Sequence, residues 1–228
     1  MSITALFWDL GGVLLTNGWD VSLRREAALV FGFDFGDFES RHARLVTDLE
    51  TGRLALDDYL DSTIFYRARE FTKDAVKAYI FEHSQANPDA IPVIEELARS
   101  RKYLLATLNN ESLELNEYRI QRFELRKHFM VFFSSCYLGV LKPDPLIYRR
   151  ALQMTQRAPE ECAFIDDRAG NLKPARELGI HAIQYRDARQ LREELTAHPE
   201  LASAFDLDSA RPPRRPGGRA PRRRASPG

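Results

Sequence analysis

The chain has 228 residues, with 33 basic and 33 acidic side chains and a formal net charge of zero. That length accommodates one large domain, or one domain with a smaller insertion. The charge is uneven: residues 209–228 hold seven arginines and no acid, so the body carries 26 basic against 33 acidic residues, a balance that argues against nucleic acid as the main partner.

Cys136 and Cys162 sit in apolar runs without zinc spacing. A body of this size needs no disulfide framework, so both are expected as small buried hydrophobes. No apolar run approaches the ~20 residues that span a bilayer. The N-terminus enters its first strand with no basic region or long apolar leader, and a cytoplasmic protein with no membrane partner is expected.

Ile3 to Trp8 is a mostly apolar run that fits a central parallel strand, and it delivers Asp9 into a turn made by Gly11 and Gly12. From about Asn17 to Asn87 the pattern is helical. Val21–Phe31 is one helix, Gly32–Gly36 breaks it, and Phe38–Leu49 is a second that Thr51-Gly52 ends. Asp57–Ala68, with Leu60, Ile64 and Ala68 on one face, and Thr72–Ser84 are two more. Phe31, Phe33, Phe35, Phe38, Phe65, Tyr66, Phe71 and Phe81 supply this segment with a core of its own, as a small bundle inserted after the first strand.

Beyond Asn87-Pro88, helices are predicted over Ile91–Arg101, Glu111–Leu125, Pro145–Gln156, Asn171–Leu178 and Ala188–Ala197. The third of these places Ile147, Ala151 and Met154 on one face, and Gly179 closes the fourth. Strands are predicted over Tyr103–Leu108, Val131–Ser134, Cys162–Ile165 and Ile180–Tyr185. Alternating strands and helices argue for an α/β fold, a Rossmann-like parallel sheet covered on both faces. The expected organisation is a core of residues 1–16 and 88–205, a helical cap of 17–87, and a disordered basic tail of 206–228. The tail leaves a weak, salt-sensitive route to polyanions.

Four strands lead to polar residues: Asp9; Thr107 with Asn109-Asn110; Lys142-Pro143 by way of Gly139; and Asp166-Asp167. In a parallel sheet these ends meet at one crevice. Three carboxylates with no His or Cys beside them suit a hard cation such as Mg²⁺, which favours carboxylates, water and phosphate oxygens. Asparagine amides and backbone N–H groups can cradle phosphate, and a lysine can neutralise charge that develops on transfer. Asp9 could be a ligand or a nucleophile. Lys142 precedes a helix start, where the dipole disfavours a cation, so a negative neighbour is expected. Asp166-Asp167 and the asparagines could also serve as helix caps or turn residues.

The blocks Phe7–Leu14, Leu105–Asn110, Leu138–Pro143 with Ile147-Tyr148, and Ala163–Asp167 with Asn171 resemble the haloacid dehalogenase-like hydrolases. The resemblance is to the branch with a helical cap after the first strand. The last two blocks are similar to the amino-terminal phosphatase domain of soluble epoxide hydrolases and to bacterial sugar-phosphate phosphatases of that branch. The resemblance implies Asp9 as nucleophile and Mg²⁺ ligand, the Gly11 carbonyl and Asp167 as further ligands, and Lys142 as stabiliser of an aspartyl-phosphate. It also implies Asn109 and Asn110 as binders of the phosphoryl oxygens, and a cap that selects a small phosphorylated substrate.

Two departures stand out. The residue two after the nucleophile is Gly11 where most phosphatases of the family carry an acid/base Asp, and such help is typically worth ~10²–10⁴-fold. Leu108 stands where a small hydroxyl residue is usual, with Thr107 one position earlier. A Mg²⁺-dependent phosphatase is therefore the expected function. A catalytically silent phosphate- and Mg²⁺-binding module is the alternative that Gly11 supports. A 2-haloacid dehalogenase is a third reading, opposed by the Asp166-Asp167 pair and by Gly11 where those enzymes carry a bulky aromatic. No oligomeric state follows from these patterns.

Overall fold

The structure is a computed structural model that describes residues 2–205; the expected basic tail lies outside the described residues. Five parallel strands are β1 (Ala5–Trp8), β2 (Leu104–Asn109), β3 (Val131–Ser134), β4 (Cys162–Asp166) and β5 (His181–Gln184), in the spatial order β3-β2-β1-β4-β5. β1 is central and buried along its whole length. It aligns Phe7 with Ala106 on one side and with Phe164 on the other.

The two-residue repeat of the strands splits the apolar side chains between two faces. Leu6, Trp8, Leu105, Ala163 and Ile165 point to one face, packed by α5 (Ile91–Ser100), α10 (Ala188–Thr196) and α11 (Pro199–Phe205). Phe7, Leu108, Phe133 and Phe164 point to the other, packed by α8 (Pro145–Thr155) and α9 (Ala169–Glu177). The result is a three-layer fold. Each of these fully buried aromatics contributes roughly 1.5–3 kcal/mol through burial.

The helical insertion is α1 (Val21–Phe31), α2 (Phe35–Glu50), α3 (Leu56–Thr63) and α4 (Lys73–Glu82). Asp20, Asp34 and Thr72 cap α1, α2 and α4 by accepting the N–H of Leu23, Asp37 and Ala75. Its core holds Ala27, Phe33, Phe38, Leu49, Tyr59, Leu60, Val76 and Ile80, and reaches Leu115 of α6 (Leu113–Arg122). The chain leaves and re-enters the sheet at one place: Thr16 N–H donates to Gln85 O (2.8 Å) and Asn87 N–H to Leu14 O (2.8 Å).

Several sequence expectations need correction. α3 ends at Thr63, five residues early, because Thr63 Oγ donates to Tyr59 O and Arg69 Nε caps the Ile64 carbonyl; Ala68 is exposed. Tyr66 is exposed beneath the Arg41 guanidinium rather than in the bundle core, whose centre is Tyr59 instead. α6 starts later and stops earlier than predicted, since Glu124 adopts a left-handed conformation. α8 buries Ile147, Tyr148, Ala151 and Leu152, and Met154 faces solvent. Cys162 is buried, but Cys136 is only half-buried, on the one-turn helix α7 (Ser135–Leu138) that the sequence did not announce. Nor was α11 foreseen. No helix among the described residues is long and apolar enough to cross a membrane.

Candidate active site

Because the strands are parallel, the C-terminal ends of β1, β2, β3 and β4 share one edge, and a cavity of about 490 Å³ opens there between sheet and insertion. Its wall includes Asp9, Gly11, Asn110, Lys142, Arg168 and Asn171 from the core, and Trp19, Arg24 and Glu50 from the insertion.

Asp9 follows β1 and is buried. Its Oδ1 accepts the Leu10 N–H (2.8 Å) and lies 3.0 Å from Lys142 Nζ. Lys142 Nζ also donates to Asp166 Oδ2 at 2.6 Å. Lys142 is therefore buried between two carboxylates, the negative neighbours that its place before α8 demanded. Asp166 is fully buried and saturated: it accepts Arg168 N–H (2.8 Å) and the Asn171 amide (3.0 Å) besides the lysine. Asp166 thus turns the chain into α9 and holds Lys142 at once.

Asp9, Asp166 and Asp167 each place a carboxylate oxygen within 4.8 Å of the others. Asp167 Oδ1 is buried with no hydrogen-bond partner, an arrangement that costs about 1–3 kcal/mol unless a ligand satisfies it. Burial pushes the Asp9 carboxyl up to about 7, against the pull of Lys142 and with added repulsion from Asp166. Burial, then Asp166, raises Asp167 as well. Lys142 contacts only two of the three crowded carboxylates, the third feels Arg168 and Lys142 without an ion pair to either, and an all-oxygen set with an orphaned buried oxygen fits a hard divalent cation. Gly12 closes this corner. With φ of +75°, a Cβ there would come 2.5 Å from Asp167 Oδ2, so a side chain would displace the carboxylate. Gly11 is different: a Cβ would meet Asn17 Oδ1 at 3.5 Å and Arg119 Nη1 at 3.9 Å, which is open enough for a side chain.

The asparagines divide their work. Asn110 lines the cavity and grips the Lys142 backbone from both sides, donating to its carbonyl (2.9 Å) and accepting its N–H (2.8 Å). Asn109 does not line the cavity. Its amide donates to Asn116 Oδ1 (3.0 Å) and its oxygen accepts from Ser134 Oγ (3.0 Å), a buried network that ties β2 to β3 and α6. In this structure the Asn109 side chain is thus engaged in the buried network rather than exposed to the cavity. Thr107 is fully buried with an unpartnered hydroxyl and does not line the cavity, nor does Leu108.

Sequence reasoning missed the buried Glu111–Arg119 pair (3.0 Å), whose arginine also holds Ser84 Oγ and the Thr16 carbonyl. It missed Glu50 and Arg24 as well. An amphipathic helix pattern distinguishes buried from exposed faces and carries no mark for a residue that meets another layer.

The sequence pattern of the haloacid dehalogenase-like hydrolases matches residues 3–179. A phosphatase of Mycobacterium tuberculosis is 26% identical over 93% of this chain and 100% of its own length. Bifunctional epoxide hydrolase 2 of Rattus norvegicus is 42% identical over 32% of this chain, and that match spans 13% of the rat protein. A haloacid dehalogenase family enzyme of Bacteroides thetaiotaomicron, solved as a magnesium complex, superposes with a TM-score of 0.71 over 82% of this chain and 95% of that one, at 22% identity, which shows the common fold. A parallel sheet whose edge gathers Asp9, Lys142 and Asp166-Asp167, with helices inserted after the first strand, is thus found in a chain that belongs to the haloacid dehalogenase-like hydrolases.

Proposed function

We propose that this hydrolase is a phosphatase acting on a small phosphorylated metabolite, with Asp9 as the phosphoryl acceptor. The observation that carries the reading is the lysine-bridged carboxylate centre: Lys142 Nζ stands 3.0 Å from Asp9 and 2.6 Å from Asp166, beside the orphaned Asp167 oxygen. Mg²⁺ held by Asp9, the Gly11 carbonyl and Asp167 would neutralise phosphoryl charge and keep these carboxylates ionised.

The chain's own groups do the rest. Leu10 N–H and Lys142 fix the Asp9 carboxylate for attack on phosphorus. Lys142 offers a fixed positive charge to the phosphoryl oxygens as charge develops, and Asn110 holds the Lys142 backbone in place. Asn110 and Arg168 would receive the remaining oxygens, a role their position on the cavity wall supports. Asp166, bonded on both oxygens, positions Lys142 and is not a nucleophile. The insertion, assigned as a cap over residues 17–87, selects the organic part of the substrate through Trp19, Arg24 and Glu50. The relative from Mycobacterium tuberculosis, named a phosphatase, supports the same reaction class.

Gly11 favours a second reading, a silent module that binds phosphate and metal without turnover. One experiment separates the two: hydrolysis of para-nitrophenyl phosphate by the full chain with Mg²⁺ and with EDTA, beside Asp9→Asn. Turnover that needs both Mg²⁺ and Asp9 is expected, with a loss on the order of 10⁴–10⁶-fold in the variant, as for removal of a catalytic nucleophile. Mg²⁺ binding without turnover would establish the silent module.

A further inference from the structure

We infer that Glu50, the last residue of α2, is the proton carrier of this site, standing in for the side chain that Gly11 lacks. The inference rests on the phosphatase reading above.

The neighbouring carboxylates are already engaged. Asp9 is engaged by Lys142 and Leu10 N–H. Asp20 caps α1 through Leu23 N–H (2.9 Å). Glu111 is paired with Arg119 and accepts Ser112 N–H. Asp166 is saturated by Lys142, Asn171 and Arg168 N–H. Glu50 lines the same cavity, half-buried, and its carboxyl makes no hydrogen bond or ion pair with any described residue.

Glu50 is also held still. Ser135 Oγ, on the first residue of α7, donates to the Glu50 carbonyl at 2.6 Å and accepts Glu111 N–H at 3.0 Å. Gly52, with φ of +72°, lies so close to α7 that a Cβ would stand 2.4 Å from the Cys136 carbonyl oxygen. The C-terminus of α2 is therefore seated on the same sheet edge that carries the reactive centre. A carboxyl without a partner among the described residues, on an anchored backbone and lining the same cavity as Asp9 and Lys142, meets the first requirement of a general acid.

The charged surroundings suit the task. Glu111 faces Glu50 from the segment after β2, Arg24 from α1, Lys142 from the loop before α8 and Arg168 from the start of α9; Arg119 of α6 lines the same cavity. From α7 it meets only neutral groups, since burial pushes the Cys136 thiol up to about 12. Burial dominates over the three cations, and Glu111 adds to it, raising Glu50 to about 7. A carboxyl poised near neutrality can both give and take a proton.

In the first step an Asp9 oxygen forms a bond to phosphorus while the bond from phosphorus to the leaving oxygen breaks. The electron pair goes to that oxygen, which takes the Glu50 proton and departs as an alcohol. In the second step a water oxygen bonds to phosphorus and its proton passes to the Glu50 carboxylate. The bond from phosphorus to Asp9 breaks, its electron pair returns to Asp9, and inorganic phosphate leaves.

The test compares wild type, Glu50→Gln and Glu50→Asp in the full chain with Mg²⁺, on para-nitrophenyl phosphate and on glycerol phosphate. The alkyl leaving group needs a proton and the nitrophenolate does not. Glu50→Gln is expected to lose ~10²–10⁴-fold in kcat/KM on glycerol phosphate. On para-nitrophenyl phosphate it is expected to keep a fast first release of nitrophenolate followed by slow turnover. Glu50→Asp should regain part of the loss, and the wild-type pH limb near 7 should vanish in Glu50→Gln. Equal rates for Glu50→Gln and wild type on both substrates, or an equal loss on both with the pH profile unchanged, would overturn the inference while Asp9-dependent turnover upheld the phosphatase. Absence of any Asp9-dependent turnover in the wild type would overturn both.

Discussion

The sheet edge and the insertion face each other across one cavity but are built on opposite principles. At the edge, Asp166 has bonds on both oxygens and Lys142 contacts two carboxylates while Asn110 grips its backbone. Across the cavity, the Glu50 backbone is anchored while its carboxyl has no partner among the described residues. Saturated polar networks in a low dielectric are rigid, so the edge is suited to holding a reacting phosphoryl group. A side chain with a spare proton site is suited to moving protons. On the proposed reading the same insertion supplies the polar groups that meet the substrate's organic part, while the edge holds the phosphoryl group.

Breaking the edge should have the largest effect. Lys142→Met leaves Asp9 and Asp166 buried without their cation; loss of one partner of a buried pair costs about 3–5 kcal/mol. A fall of several degrees in melting temperature is expected, together with a ~10²–10³-fold loss of phosphoryl transfer, as for removal of a preorganised charge. Thermal melts and initial rates on para-nitrophenyl phosphate check both. Asn110→Ala removes two hydrogen bonds to the Lys142 backbone, at 2.9 and 2.8 Å, together worth roughly 1–3 kcal/mol. Its loss should lower kcat by freeing Lys142 and raise KM as well, since Asn110 is also the proposed contact to a phosphoryl oxygen.

The insertion side should answer to pH. Glu50 titrates at about 7 in the fold against 4.5 ordinarily. The folded chain holds this proton more tightly, so the contribution to stability is complete below pH 4.5, fades as pH rises and is gone above about 7. Glu50→Gln lacks it. In EDTA, the variant should therefore exceed wild type in stability at pH 8 by on the order of 2 kcal/mol relative to pH 4.5. Denaturant melts at both pH values measure the difference; a constant gap across pH would contradict it. The smallest effect is expected far from either region: Met154 is 63% exposed, and Met154→Lys should change stability by less than about 0.5 kcal/mol.

The parallel sheet, the insertion and the edge positions of Asp9, Lys142 and Asp166-Asp167 were legible because strand ends follow from apolar runs that stop at polar residues. What the side chains do there was not. Asn109 and Asn110 are adjacent in sequence, yet alternate direction at a strand end sends one into a buried network with Ser134 and the other to Lys142. The early end of α3 depends on Arg69 reaching back to a carbonyl, which helix periodicity does not encode. Met154 has the right spacing for the core, but α8 turns its Tyr148–Leu152 face inward instead. Glu50 was invisible because its importance comes from Ser135 and Cys136, some 85 positions away along the chain.

The most direct measurement is chemical trapping of the acceptor. Full-length Glu50→Gln is mixed with para-nitrophenyl phosphate and Mg²⁺, quenched in acid and digested, and the peptide that contains Asp9 is weighed beside the same peptide from the Asp9→Asn,Glu50→Gln double variant. The account predicts one phosphoryl group on Asp9 in the single variant, gained as nitrophenolate is first released, and none in the double variant. Nitrophenolate release with no phosphoryl group on Asp9, or with the group on another residue, would contradict it.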